Sequence, residues 1–548
     1  MPNREISLCK KYAESIFRRN IEPLEPRDFH PNWADQPSRL KIYQQVERLA
    51  LPAPALPGLA SMGEVMARLR TPREHPRGLD QAEIATMLQF AHGLLNRRLD
   101  VNWNQNHLDQ ALYIHSTFGR GSASGGGMYP TEIFWVSGQS GSFLPGIYHY
   151  ENGHHALARL LSGDVTRQVR RAVADHPSAM STDQFLLISL NFWKNSFKYN
   201  SFSYHVVTQD LGALLASLRL LANGFGSDLQ TLLWYADESL NDLLGLETLY
   251  ESVCAVIPIP TNDLQHLSSS QARSLAPETL PQTAFTQKSA FQRSQTILHF
   301  EAIEKAHQST LIDDEARPES RAAYRAACDE FARGEEKIIL PAPSVDLLGM
   351  DILTAFRHRR SSFGRFSNAQ PLSLERFATM LHFASVSCNY GSDLKGADGS
   401  PHFTRLLAFV RNIQGVTPGA YAYDGQRHCL WSVAQQDFSA FLQEHYFLQN
   451  YNMSEIAALL VIVGKPEQML ELYGNRGYRV IQAEVGLVAQ SVYMAATALS
   501  FNCGAALGFD NVALNQALNL QEQERSFLFL LIGNGPMVES ADFRYPLV

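Results

Sequence analysis

Short apolar runs punctuate this chain. IFWV (133–136), FLLISL (185–190) and VCAVIPI (253–259) are continuous, bounded by turn residues and rich in β-branched and aromatic side chains, the signature of buried strands. LLAFV (406–410), IAALLVIVG (456–464) and FLFLLIG (527–533) bring the same signature back further along. A second rhythm lies between them. Leu211, Leu214, Leu215 and Leu218 fall at i, i+3, i+4 and i+7, which predicts a long helix after the second strand of the first set. Helices and strands mix without strict alternation, so the pattern predicts an α+β fold with a central sheet in each half.

The halves are copies of one another. GIYHYENGHHAL from Gly146 and GAYAYDGQRHCL from Gly419 share Gly, Tyr, Tyr, His and Leu at one fixed offset. Upstream, IATMLQFA (84–91) matches FATMLHFA (377–384). Downstream, SYHVVTQDLGALLASLRLLA (203–222) lies over GYRVIQAEVGLVAQSVYMAA (477–496), aligning Tyr204 with Tyr478 and Gly212 with Gly486. Three blocks in one order make an internal duplication, with too few copies for a solenoid. The expected organisation is an N-terminal extension (1–60), a first domain (61–262), a helical connector (263–340) and a second domain (341–548).

Composition narrows the function. The 548 residues are 45% hydrophobic and 18% charged, as in ordinary globular proteins, and the net charge of −8 argues against a nucleic-acid or anionic-membrane partner. IAALLVIVG is too short to span a bilayer, and the N-terminus has no apolar signal core, so a cytoplasmic protein is expected. The six cysteines show no CxxC spacing, which suits reduced thiols, and the adjacent His154 and His155 suit a polar turn better than a metal site.

Candidate chemistry sits in a few places. SASGGGMYPTE (122–132) puts bare backbone ahead of a strand, as an ordinary turn would, or a loop that lets a flat or anionic ligand approach the main chain. Arg359, Arg360 and Ser361, in HRRSSFGRF (358–366), suit a phosphate through guanidinium forks and a hydroxyl, or form a solvated helix end.

These segments together resemble a known family. HRRSSFGRF resembles the Arg-Arg-Ser opening of nitroreductase-like flavoproteins. SASGGGMYPTE, GIYHYENGHHAL, NWADQPSRLKIY (32–43) and the closing LLIGNGP resemble, in order, blocks of the SagB-type dehydrogenases. The resemblance covers nearly the whole chain. It implies two fused nitroreductase-like domains forming an intramolecular pseudo-dimer, with FMN bound where the two halves meet. Family members of peptide-natural-product pathways oxidise thiazoline and oxazoline rings to thiazoles and oxazoles.

In that family each flavin takes its phosphate arginines and flavin-edge loop from one subunit and a Ser-rich loop from the other. Here the first half keeps the Ser-Gly loop but reads LRTPR (69–73), LLWYADE and VIPIP where the second half reads RRSS, GAALGF (504–509) and LIGNGP. The second half has lost the glycine loop to DGSPHFTR. The resemblance therefore implies one composite site. Arg359, Arg360, Ser361 and the loop Ala505, Ala506, Leu507, Gly508 and Phe509 come from the second half, and Ser122, Ala123, Ser124, Gly125 and Gly126 from the first. The opposite site, built from LRTPR and DGSPHF, is expected to be empty.

NSFKYNSFSYH (195–205) resembles the Lys-Tyr element of azoline-oxidising members, which assigns catalysis to Lys198 and Tyr199; the second copy has Leu472 and Tyr473. A tyrosine beside a cation is expected to lose its proton more easily than usual. Adjacent residues reach one target only from a loop or distorted turn, and otherwise are a surface lysine and a wall residue. Asp210 and Glu484 occupy equivalent helix positions and read as structural. The leading expectation is an FMN-dependent azoline oxidase with oxygen as acceptor. Its substrate would be a peptide or other heterocycle-bearing molecule, supplied by a separate cyclodehydratase. Alternatives are an NAD(P)H-dependent reductase of nitro or activated-alkene substrates, and a flavin-poor scaffold that binds a peptide or partner enzyme.

Overall fold

The computed structural model describes residues 2–54, 59–99, 116–261, 290–313, 316–318, 336–362, 364–448, 450–535 and 544–548. In the first half, strands β1 (Arg48–Ala50), β2 (Thr131–Ser137), β3 (Gly146–Glu151), β4 (Ala156–Ser162), β5 (Gln184–Asn191) and β6 (Glu251–Pro258) form one antiparallel sheet in the order β1-β4-β3-β2-β5-β6. In the second half, β7 (Lys337–Ile339), β8 (Thr404–Val410), β9 (Gly419–Asp424), β10 (Cys429–Ala434), β11 (Ala458–Gly464), β12 (Asn502–Ala506) and β13 (Arg525–Gly533) repeat that order as β7-β10-β9-β8-β11-β13, and add β12 at the far edge. The apolar runs all form strands: five lie inside the sheets, VCAVIPI forms the edge strand β6, and β2 and β5 are buried along their whole length.

Among the described residues, nine helices frame the two sheets. They are α1 (Ser7–Phe17), α2 (Gln81–His92), α3 (Trp193–Tyr199), α4 (Ser203–Gly224), α5 (Glu301–Ser309), α6 (Ile352–His358), α7 (Leu374–Ser387), α8 (Pro466–Tyr473) and α9 (Arg476–Ala498). Helix α4 carries the leucine spacing, yet all of its residues are buried, so its polar positions face partners in place of solvent. Its main partner is α9, the equivalent helix of the other half. The crossing is set by the repeated glycines. A Cβ on Gly212 would lie 1.8 Å from the Ala483 carbonyl oxygen, and one on Gly486 would lie 1.8 Å from that of Gln209. Only residues without a side chain allow backbones this close.

At one end of this crossing the equivalent Tyr204 and Tyr478 stack, centroids 6.2 Å apart and 11° from parallel, and Tyr12 of α1 packs edge-on against both. The largest apolar core runs through both halves, and each sheet also packs a separate apolar cluster of its own half. The chain end crosses over too: Arg544–Pro546 pairs with Asn96–Leu99, which pairs with Ser116–Gly119 of the first half.

Within the connector region, α5 and β7 are described. Residues 319–335 of its helical pattern lie outside the described residues, and Lys337 opens a strand paired with β10. Among the described residues no helix is long and apolar enough to cross a membrane.

Candidate active site

A cavity of about 880 Å³ opens where the halves meet. The structure brings most of the sequence-assigned residues to its wall: Arg359, Arg360, Ser361, Ala505, Ala506, Leu507 and Gly508 from the second half, and Ala123, Ser124, Gly125, Gly126, Lys198 and Tyr199 from the first. Two differ. Ser122 is buried away from the cavity, its backbone N–H donating to the Ala91 carbonyl at 3.0 Å. Phe509 packs into the core between Tyr446 and Phe529, at ring distances of 4.7 and 4.8 Å. Both lie at the ends of their loops, where the chain turns back into the core.

The arginine end is built by the exit of α6. Arg359 follows the last helical residue in an extended conformation, where a cation also suits the helix C-terminus. Its Nη2 donates to the Arg120 carbonyl of the first half at 2.9 Å, and its guanidinium lies over the Tyr493 ring of α9, 5.6 Å from the centroid. Tyr493 Oη accepts from the Ala505 N–H at 2.7 Å and is hydrogen-bonded to Ser361 Oγ at 3.0 Å. One phenol thus fixes the serine and the start of the 505–508 loop together.

The opposite wall is the glycine loop. Ser124 Oγ–H donates to Asp210 Oδ2 at 2.7 Å and accepts from the Tyr129 N–H at 2.9 Å, while the Gly125 N–H donates to Asp210 Oδ1 at 2.8 Å. Gln490 of α9 accepts from the Ala123 N–H at 2.9 Å and donates to the Gly121 carbonyl at 3.0 Å. Gly126 has φ +63°, and a Cβ there would lie 2.3 Å from Tyr199 Oη and 2.8 Å from Lys198 Nζ. The two head groups therefore converge on one point of the loop. They can because they stand at the end of α3, where Asn200 leaves the helix at φ +44°.

Electrostatics divides this pair. Burial lowers the Lys198 pKa, which favours the neutral amine. Burial, with the Asp210 charge adding to it, raises the Tyr199 phenol above its ordinary value. The expectation that a neighbouring cation eases loss of the tyrosine proton is therefore corrected: desolvation and the carboxylate outweigh the lysine.

Sequence reasoning missed Arg19. It comes from the segment after α1, stacks over Phe202 at 4.9 Å, and donates to the Leu507 carbonyl and to Asn511 Oδ1. No local pattern marks a residue that acts almost five hundred positions away in the chain. Lys194 also lines the cavity, but it is ion-paired with the buried Glu132, which also bonds His149.

Around the opposite half-site the corresponding segments are tied to protein groups. Arg68 Nη1 and Arg77 Nη2 donate to the carbonyls of Asn223 and Phe225, both at 2.6 Å, and Arg73 donates to that of Gly226, so these arginines cap the C-terminus of α4. Asp393 accepts from the backbone N–H groups of Leu233 and Trp234 at 2.9 Å each, closing the counterpart of the 505–508 loop. Glu484, the equivalent of Asp210, is paired at 2.7 Å with the fully buried Lys395 and accepts from Phe403 and Thr404 N–H groups.

Residues 356–534 match the Nitroreductase family. A nitroreductase-like protein of Methanocaldococcus jannaschii is 26% identical over 155 residues, which cover 28% of this chain and 78% of that one. The crystal structure of a nitroreductase-like protein from Anabaena variabilis superposes over 97% of this chain and 100% of its own, with a TM-score of 0.71 and 20% identity. The E. coli microcin synthetase McbBCD, in complex with truncated pro-MccB17, matches 32% of this chain and 70% of that chain at 16% identity and a TM-score of 0.27, too low to carry an argument.

Proposed function

We propose, from a nitroreductase-family domain at residues 356–534 and a chain-wide fold of two such units, that this protein is an FMN-dependent azoline oxidase. It would convert thiazoline or oxazoline rings of a modified peptide to thiazoles or oxazoles. The cavity suits FMN. Its volume of about 880 Å³ leaves space for a flavin and a substrate ring. Arg359, Arg360 and Ser361 supply the donors a phosphate needs, and Arg359 Nε is buried with no hydrogen-bond partner among the described residues. Gly125 and Gly126 line the facing wall, and Gly127 beside them, where an added Cβ would meet nothing within 4 Å, offers bare backbone that a flat ring can approach.

When bound, FMN supplies the acceptor for an electron pair and one ring hydrogen, with dioxygen as the terminal acceptor. The other hydrogen leaves as a proton, and removing it falls to the chain. Lys198 takes it at Nζ, because burial favours the neutral amine. Tyr199, kept protonated, orients the ring through a hydrogen bond from Oη. The observation that carries this reading is the convergence of Lys198 Nζ and Tyr199 Oη on Gly126, inside a cavity whose other wall holds Arg359 and Arg360.

The test is direct. The FMN-loaded chain, given a thiazoline-bearing peptide, is expected to release a product lighter by two hydrogens. Lys198→Ala is expected to lower kcat by about a hundredfold or more with FMN still bound. For the wild type, kcat should rise with pH through a pKa below the ordinary lysine value of about 10.4, since the amine must be free to act. An unchanged rate in Lys198→Ala contradicts the assignment. A second reading, an NAD(P)H-dependent reductase of nitro or activated-alkene substrates, is favoured by the name of the M. jannaschii relative. Nitroaromatic-driven NADPH oxidation that is insensitive to Lys198→Ala selects it.

A further inference from the structure

Among the described residues that line the cavity, Asp210 is the one carboxylate, against six arginines and two lysines. No arginine or lysine pairs with it among the described residues; it accepts hydrogen bonds from Ser124 Oγ–H and the Gly125 N–H, both donors from the glycine loop. Its equivalent in the other half shows the contrast. Glu484 is held by Lys395 and by two backbone N–H groups, an arrangement that serves packing. A buried carboxylate without a cation is costly, and a purely structural position has the cheaper solution available in the same molecule. The cost is visible as a carboxyl pKa pushed up by burial to about 7, even though both loop donors pull it down.

The geometry points to Asp210 as a positioning residue, the latch that holds the glycine loop against the Lys198–Tyr199 pair. Its two oxygens take adjacent donors of the loop. Ser124 passes the restraint on to Tyr129, and Gly126, one residue beyond Gly125, is left in the left-handed conformation at which Tyr199 Oη and Lys198 Nζ meet. The same carboxylate faces Tyr199 and helps keep its phenol protonated. Without the latch the loop loses its side-chain hydrogen bonds to α4 among the described residues, and the backbone proposed to face the flavin is no longer preset. The inference rests on the flavin reading for its purpose but not for its test.

The flavin-free chain is compared with Asp210→Ala, Asp210→Asn and Ser124→Ala by hydrogen–deuterium exchange over residues 121–130, and each is titrated with FMN. Asp210→Ala is expected to speed exchange of that segment at least tenfold and weaken FMN binding about tenfold. Asp210→Asn keeps an oxygen for the Gly125 N–H and is expected to recover part of both effects. Ser124→Ala removes one arm only and should fall between, and it decides the matter should Asp210→Ala not fold. Exchange and FMN affinity within twofold of wild type in Asp210→Asn and Ser124→Ala, or an Asp210→Ala effect that Asp210→Asn does not relieve, overturns the latch. A wild-type chain that binds no FMN counts against the flavin reading alone, because exchange still reports the loop.

Discussion

At Gly126 a single residue decides whether two side chains can meet the loop. Its φ of +63° disfavours any L side chain, and an added methyl would overlap Tyr199 Oη. Gly126→Ala is expected to cost about 1 kcal/mol or more in local strain. It should displace the Lys198–Tyr199 pair, cutting azoline turnover far more than it lowers the melting temperature; a proportionate loss of both contradicts this placement. At this scale the sequence was informative where chemistry clusters locally. Lys198 and Tyr199 are neighbours, and Arg359, Arg360 and Ser361 are consecutive, so a resemblance could mark them. Arg19 escaped for a different reason: it touches Leu507 only through the fold. The sequence marks Asp210 as structural, and the latch proposed for it rests on contacts that no spacing reveals.

At the scale of elements, periodicity was a good guide to the strands and a partial one to the helices. Continuous apolar runs became strands buried on both faces, because each sheet is covered on both sides. The leucine spacing of α4 located the helix but understated its burial. His205, Gln209 and Gln482 form a hydrogen-bonded cluster between α4 and α9, so polar residues there mark the partner helix and not solvent. The matched Gly212 and Gly486 were visible as a repeat, and their purpose became clear only at the crossing. Gly212→Ala is expected to destabilise the chain by about 3 kcal/mol, since a methyl would meet backbone on a rigid helix. A clear fall in the urea midpoint checks this; an unchanged midpoint means the helices separate more easily than their packing implies.

At the scale of the whole molecule, duplication has produced one proposed active site and one structural counterpart. The shared core and the crossing chain end hold the halves together without a second subunit, so retained flavin should not depend on protein concentration. In the counterpart, removing Lys395 leaves Glu484 buried and unpaired. Lys395→Met is expected to cost about 3–5 kcal/mol of stability while leaving flavin content unchanged, read by urea melts beside absorbance spectra. Divergence of the two loops was legible in the sequence, but the contacts of the counterpart segments were not, because Asp393 and Lys395 reach groups from other parts of the chain.

The most direct test of the central claim is the number of FMN molecules released per polypeptide after reconstitution with excess FMN. A single composite site requires one. Two would show that the arginines capping α4 can be recruited for a second phosphate, and none would leave the cavity without its proposed cofactor.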